Sequence, residues 1–489
     1  VANNQKRVGD GIELYEEFIK IEDSFGLLRP GDPLSDIWER LRYSVFSELR
    51  ARQVQLKVED AHQFPIASKT RSSWFIRLCV IVREVCNLYI FGNPIWAIFR
   101  RRKYAFWGHP RRKLEKDGLY WDIYTDLIID RLGQDNCVSI ERDWHGRHLT
   151  PAVTQNLFYQ DSLDLIVGLL RRIRKPRLSD QQRRKLGQLA IALRESFGTD
   201  CSIRKRGARV HGQAVTQTVI FRLFLQLLQP KVVFLVTSNV HCSLIEAAKE
   251  LGIPTVELQH AIVSRYYVVL SYEGDRQKRS GPDYFFCFGD LWKDAAQFSI
   301  PEDHIVPVGF PFLSDRLNQY QPFQKQELIV FLASKTLDDT LARMAAGFSE
   351  KYAGRIKVVY KLHPETRSMW RSLYPQLASA AENNHVTVVD GQTPTLYELL
   401  AQARWQVGIA STALLEGAAF GCTTFVLNAP GVETMSFLLE CGMACLVNSE
   451  EDIDLTFSTR YMLNDVFADE WYDKIKRATE FVERKHKQV

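Results

Sequence analysis

Residues 356–422 constrain this chain most, because apolar runs alternate there with helical patterns in the way a parallel sheet requires. In IKVVYKLHPETR the proline has no N–H to give a sheet ladder, so a strand over Val358–Leu362 ends before Pro364. That ending leaves Lys361, His363, Glu365 and Arg367 at the carboxyl edge, where open parallel sheets bind ligands. HVTVVDGQTP and LYELLAQAR supply a second strand and helix. In WQVGIASTALLEGAAFGC a strand over Val407–Ala410 breaks at Ser411-Thr412 into a helix, whose first amides form an anion site that a hydroxyl completes. Glu416 lies one turn past Thr412 on the same face, off the capping-box offset, and reads as a carboxylate for a ribose diol. The preceding strand, LIVFLAS, brings Ser334 to the same edge. These groups describe a cradle for a nucleotide mono- or diphosphate.

A chain of 489 residues, 46% hydrophobic and 25% charged, is long enough for two to four domains and is not disordered. Its net charge is only +5, but the surplus is local: Arg100–Lys103, Arg111–Lys113, Arg171–Arg177 and Arg204–Arg209 all fall in the first half. No nucleic-acid recognition signature accompanies these clusters, and solvated helix faces account for any one of them, so no nucleic-acid partner is expected. Nine cysteines without CxxC spacing argue for a reducing compartment and against a disulfide or zinc framework. No secretory leader is visible, and a cytoplasmic place is expected.

Residues 1–100 read as a helical accessory region, with a helix starting at Ser35 or Asp36 in DPLSDIWERLRYSVFSELRARQ. The apolar run 74–103 is broken by Gly92-Asn93-Pro94 and is too short to span a bilayer. Trp74, Trp96, Phe99 and Arg100–Lys103 would suit an interfacial helix on anionic lipid, and packing against the core is the competing reading. From residue 101 to 315 a first α/β domain is expected, opened by the strand YAFW before His109 and Arg111. Asp122 and Asp126 then lie among Tyr120, Trp121 and Tyr124, where a carbohydrate hydroxyl would find an acceptor beside a stacking face. Residues 155–229 read as helices. KVVFLVTSN, SLIEAAKELG and PTVELQH follow as a βαβ unit that sets Gln259 and His260 at a strand's carboxyl end. NQYQPFQKQE reads as a linker into a second domain, 325–456, and 457–489 as helices returning to brace the first.

LQHAIVSRYYVVLSY, PDYFFCFGD, VGFP, YKLHPE and ASTALLEGAAFG together resemble the bacterial capsular-polysaccharide glycosyltransferases. Polysialyl- and Kdo-transferases and the CDP-glycerol glycerophosphotransferases share this layout. The likeness covers roughly Tyr104–Asn448, leaves residues 1–70 unmatched, and departs at Ala261, where the family usually has the glycine of QHG. It implies a GT-B fold, two Rossmann-like domains facing across a cleft, with His363, Ser411 and Thr412 on the donor phosphate and nucleotide. It further implies a nucleotide-sugar co-substrate, UDP-, CMP- or CDP-linked, a glycan or glycolipid acceptor, and no metal or other cofactor. Asp122, Asp126 and His260 are the candidate catalytic bases. His109, Arg111, Tyr124 and Gln259 are expected on the acceptor side. Non-hydrolysing sugar-nucleotide epimerases also carry a histidine-proline, but their phosphate helix begins with serine, two glycines and paired acids, which ASTALLEG lacks. A non-catalytic polysaccharide-binding shell would not need so many converging polar groups.

Overall fold

The computed structural model of the protein describes residues 2–59, 92–173, 176–333, 338–363, 366, 369–391, 393–459 and 463–486. Two parallel sheets carry the fold. The first has the order β5-β4-β1-β6-β7-β8-β9, where β1 is Tyr104–Trp107, β4 Cys137–Glu141, β5 Leu157–Tyr159, β6 Val232–Val236, β7 Thr255–Leu258, β8 Tyr284–Cys287 and β9 Ile305–Pro307. A small antiparallel hairpin, β2 Lys113–Leu114 and β3 Tyr120–Trp121, stands apart. The second sheet has the order β12-β11-β10-β13-β14-β15. Its strands are β10 Gln326–Leu332, β11 Lys357–Lys361, β12 Val386–Val389, β13 Ala403–Gly408, β14 Thr423–Leu427 and β15 Cys445–Val447. In the first sheet β1, β6 and β7 are buried along their length, as VVFLV in β6 shows, and in the second β10 is buried from Leu328 on, because helices cover both faces of a parallel sheet. The protein is therefore α/β, built of two Rossmann-like domains. Each sheet winds outward from its first strand in both directions. This puts one switch point between β1 and β6 and another between β10 and β13.

Two expectations need correction. The stretch 155–229 is not helical from its start: Leu157–Tyr159 pairs with Cys137–Glu141 at the sheet's edge before the helices Asp161–Ile173, Asp180–Phe197 and Ile203–Leu228 begin. The polar stretch 318–327 is not all linker. Pro311 opens a helix to Tyr320 and β10 starts at Gln326, so the connection is residues 321–325.

The N-terminal layer consists of α1, Ala2–Ser24, and α2, Ser35–Glu59. Phe18, Trp38, Leu41 and Phe46 pack there with Leu186 and Leu189 and with Val268 and Tyr272 of the first domain. At its centre the buried Glu22 carboxylate accepts from Trp38 Nε1 (2.6 Å), from Arg42 Nε (2.8 Å) and Nη2 (3.0 Å), and from Arg276 Nε (3.0 Å). Arg42 Nη1 also donates to the carbonyls of Val268 (2.6 Å) and Ser271 (2.7 Å). The layer thus fixes the chain that follows β7.

The last described helix, Trp471–Lys485, packs on the first domain, with Glu483 bonded to Tyr104 and 2.8 Å from Lys103. On the way, Trp292 Nε1 donates to the carbonyl of Val466 (2.8 Å). One apolar cluster joins Phe285, Trp292 and Phe310 to Val330, Leu414 and Phe420 beneath the cleft. Lys116–Glu398 (2.9 Å) and Arg316–Glu115 (3.0 Å) tie its rim. Among the described residues no helix is long and apolar enough to cross a membrane, and seven cysteines are free.

Candidate active site

The first sheet's carboxyl edge is dense with spent polar groups. A Cβ on Gly108, just after β1, would stand 2.6 Å from Asp122 Oδ2, so only glycine admits this carboxylate. Asp122 Oδ2 accepts from His109 N (2.7 Å) and Thr125 Oγ1 (2.7 Å), and Oδ1 from Tyr124 N (3.0 Å). Asp126 Oδ2 accepts from Asp122 N (2.8 Å) and Arg112 Nη1 (3.0 Å), and Oδ1 accepts from the Thr154 hydroxyl. Arg112 Nε donates in turn to Glu141 (2.7 Å), and all these side chains are buried. Burial raises the Asp126 pKa to about 6 against the pull of Arg112. This geometry corrects the expectation for both aspartates: they hold the turn after β1 and are not open to an incoming hydroxyl.

Three histidines stand at the ends of neighbouring strands: His109 after β1, His241 after β6 and His260 after β7. Burial holds all three on the neutral side, taking His241 to about 3 and His260 to about 4. His109 lowers both further, and Arg142 adds to the effect on His241. His109 Nδ1 accepts from Arg111 N (3.1 Å), which leaves the neutral ring's proton on Nε2. Its ring lies between Tyr124 (5.7 Å) and Trp144 (6.2 Å). The Arg111 side chain is exposed.

The loop carrying His260 is pinned from two sides. Tyr124 donates its hydroxyl to the His260 carbonyl (3.0 Å) and stacks on Phe310 at 5.9 Å. Buried Gln259 donates to the Ala261 carbonyl (3.1 Å) and accepts from Phe288 N (2.8 Å). Tyr124 and Gln259 therefore position the base candidate, which corrects their expected place as acceptor contacts.

His241 was not expected from the sequence. Four residues before it Thr237 takes a φ of 71°, costly for a β-branched residue, at the β1/β6 switch point, a strain the sequence does not display. Glu257 accepts from Ser238 N (2.9 Å) and Lys278 donates to Ser238 Oγ (2.7 Å), and these bonds hold the turn.

The second sheet's edge is more open. Ser411 caps the helix Thr412–Ala419, its Oγ accepting from Ala413 N (3.2 Å), and both Ser411 and Thr412 keep solvent access. Lys361 turns away from the expected phosphate and donates to the carbonyls of Gly391 (2.8 Å) and Pro394 (3.1 Å), tying down the loop after β12. His363 stands half-buried after β11, with its carbonyl accepting from Thr366 N at 3.1 Å. Ser334, Glu365 and Arg367 lie outside the described residues. Glu416 is buried, bonded to Tyr397 and beside Lys113 and Tyr124 of the first domain. Burial raises its pKa, and Tyr397 and Lys113 offset part of the rise. It seals the junction between the domains and is not presented to a ribose.

The two edges meet at a cavity of about 180 Å³. Ala410, Ser411, Thr412, Thr434 and Met435 line one side. Ala261, Ile262, Tyr266, Tyr267 and Val268 line the other, and α2 closes it with Tyr43, Phe46, Ser47 and Arg50. The α2 side chains escaped the sequence reading, because nothing in a helical pattern says which domain boundary the helix will lie across. Among the described residues no group of three metal-ligating side chains is found.

No protein-family model and no curated protein matches the chain. Among solved structures, UDP-GlcNAc 2-epimerase from Methanocaldococcus jannaschii is similar at 12% identity over 78% of this chain and 99% of that one, with a TM-score of 0.44. UDP-GlcNAc 2-epimerase from Neisseria meningitidis bound to UDP-GlcNAc aligns at 13% identity over 78% and 93%, with a TM-score of 0.39. The wall teichoic acid polymerase TagF aligns at 8% identity over 85% and 99%, with a TM-score of 0.40. Likenesses this distant assign no chemistry to any residue here.

Proposed function

We propose that the protein is a metal-independent glycosyltransferase that moves a sugar from a UDP-, CMP- or CDP-linked donor to a surface polysaccharide or lipid-linked acceptor. The observation that carries this reading is the single cavity in which the Ser411-Thr412 helix start faces the loop following His260. Helix amides and the Ser411 and Thr412 hydroxyls take the donor phosphate, with His363 at the neighbouring strand end. His260 takes the proton of the attacking hydroxyl. Its imidazole is neutral at working pH, and a bound phosphate beside it draws its pKa back up toward neutrality. His109, Arg111 and Trp144 form the acceptor side.

The acceptor is met at an anionic membrane surface. Exposed Trp96 and Phe99 adjoin Arg100 and Arg101, and exposed Leu169 and Ile173 adjoin Arg171 and Arg172 on a helix of the same layer. Salt-sensitive binding to vesicles containing phosphatidylglycerol is expected, and indifference to them at low ionic strength would remove the membrane from the reading.

A thermal-shift panel of UDP, CMP and CDP tests the donor site, since a nucleotide at 100 times its Kd stabilises by ~2.7 kcal/mol. His363→Ala should then weaken binding by roughly 1.5–3 kcal/mol if its bond to phosphate is charge-assisted. Release of free nucleotide on adding donor and glycan supports transfer. Epimer formed from a sugar nucleotide alone would instead make the protein an epimerase. Transfer of a polyol phosphate would make it an enzyme of the CDP-glycerol type, and binding without turnover a polysaccharide-binding protein.

A further inference from the structure

The N-terminal helices lie outside the resemblance, yet α2 forms a wall of the cavity, and among the described residues lining it Arg50 is the one cation. Arg50 Nη2 lies 2.6 Å from Oε1 of Glu433, just after β14 in the second domain, whose side chain is 1% exposed. The contact is electrostatic and misses hydrogen-bond geometry: Arg50 Nε is buried without a hydrogen-bond partner, and so are both carboxylate oxygens of Glu433. Helix α1 also reaches this carboxylate, for a Cβ on Gly11 would stand 2.4 Å from Glu433 Oε2. A guanidinium with unspent donors thus stands in a cavity whose opposite wall is a capped helix start.

We propose that Arg50 is a ligand of the donor's phosphate, and that Glu433 is the resting counter-ion whose place the phosphate takes. This inference rests on the nucleotide reading above and extends it: the N-terminal layer becomes a working wall of the donor site. The planar fork of arginine matches a phosphate with two parallel N–H bonds, while the helix amides approach from the other side. Glu433 itself does not line the cavity, so its carboxylate stays behind the wall when phosphate takes the guanidinium. The same oxyanion chemistry is offered by the carboxylate of an acidic sugar, so the test separates the two.

Calorimetric titration of the full chain with UDP, CMP, uridine, cytidine and free N-acetylneuraminate is the experiment, on the unaltered protein and on Arg50→Ala, Arg50→Lys and Glu433→Gln. Arg50→Ala should weaken the nucleotide that binds by tenfold or more, flatten its salt dependence and leave nucleoside affinity unchanged. Arg50→Lys should fall between. Glu433→Gln removes the counter-ion and should leave nucleotide affinity equal or higher. Equal losses in Arg50→Ala and Glu433→Gln, extending to nucleosides, would make the pair a strap between domains and overturn the proposal. Unchanged nucleotide affinity in a folded Arg50→Ala protein would overturn it too, as would a loss confined to N-acetylneuraminate. Absence of any nucleotide binding by the unaltered protein would overturn the transferase reading itself, a result distinct from these.

Discussion

The two carboxyl edges that face each other across the cleft are finished to different degrees. At the first, Asp122, Asp126, Arg112, Glu141, Gln259 and Tyr124 direct their hydrogen bonds at one another or at the backbone, and His260 is held by its neighbours. At the second, Ser411 and Thr412 start a helix with solvent access, and the nearest charges form the loosely oriented pair Arg50–Glu433. A group that must point at one hydroxyl profits from a rigid frame fixed in advance. A site for a polyanion can leave its donors for the ligand to complete. Under the transferase proposed above, the difference would put proton chemistry at the first edge and donor capture at the second.

That division can be broken most directly at His260. His260→Ala should lower turnover at saturating donor by a factor on the order of 10² to 10⁴ with nucleotide affinity retained, read by steady-state kinetics beside calorimetry. A parallel loss of affinity would erase the distinction between the edges. The frame itself is tested next by Arg112→Met, which leaves the buried Asp126 without its ion partner and Glu141 with His148 alone. A stability loss of about 3–5 kcal/mol is expected in urea denaturation.

A smaller effect sharpens the picture through pH. His148 lies between Asp161 (3.1 Å) and Glu141 (3.6 Å). Burial lowers its pKa, but the hydrogen bond to Asp161 and the nearby Glu141 carboxylate outweigh that and raise it to about 9 from 6.5. The folded pKa is the higher one, so the protonated ring's contribution is full below 6.5 and is lost as pH rises through 9. Stability should fall over that window by on the order of 1–3 kcal/mol, and His148→Gln should flatten the curve. Smallest of the set, Ser411→Ala should cost ~1 kcal/mol of stability through the lost cap, with a measurable drop in nucleotide affinity. A nucleotide affinity left intact would make Ser411 a cap alone.

Much of the second domain was legible because its strands are apolar runs of ordinary length that end at punctuated positions, such as Pro364 and Ser411-Thr412. The strands β4 and β5 were not, since CVSIE carries a serine and a glutamate among its apolar residues and LFY is only three residues long. His260 lies two residues past β7 and Ser411 three past β13, which ends at Gly408 and not at the expected Ala410. Asp122 and Asp126 were misread because their partners, His109 N, Arg112 and Thr154, are chosen by tertiary packing. Glu416 shows the same limit: its helical face was readable, but not that this face turns toward Tyr397 and Tyr124. Lys361 was assigned to phosphate when two carbonyls of the next strand-end loop already hold it.

The contact between Arg50 and Glu433 also sets a schedule. Synthesis delivers α2 well before the residues around Glu433, and domains that emerge early fold first. The strands of the first sheet can pair while the second domain is still unmade, but the helix that covers them, Trp471–Lys485, comes later, and the cavity needs both domains. On a ribosome-bound chain the pocket stays incomplete until the residues around Met435 have emerged. Under the proposal above, a chain that stops short of them would lack the donor site.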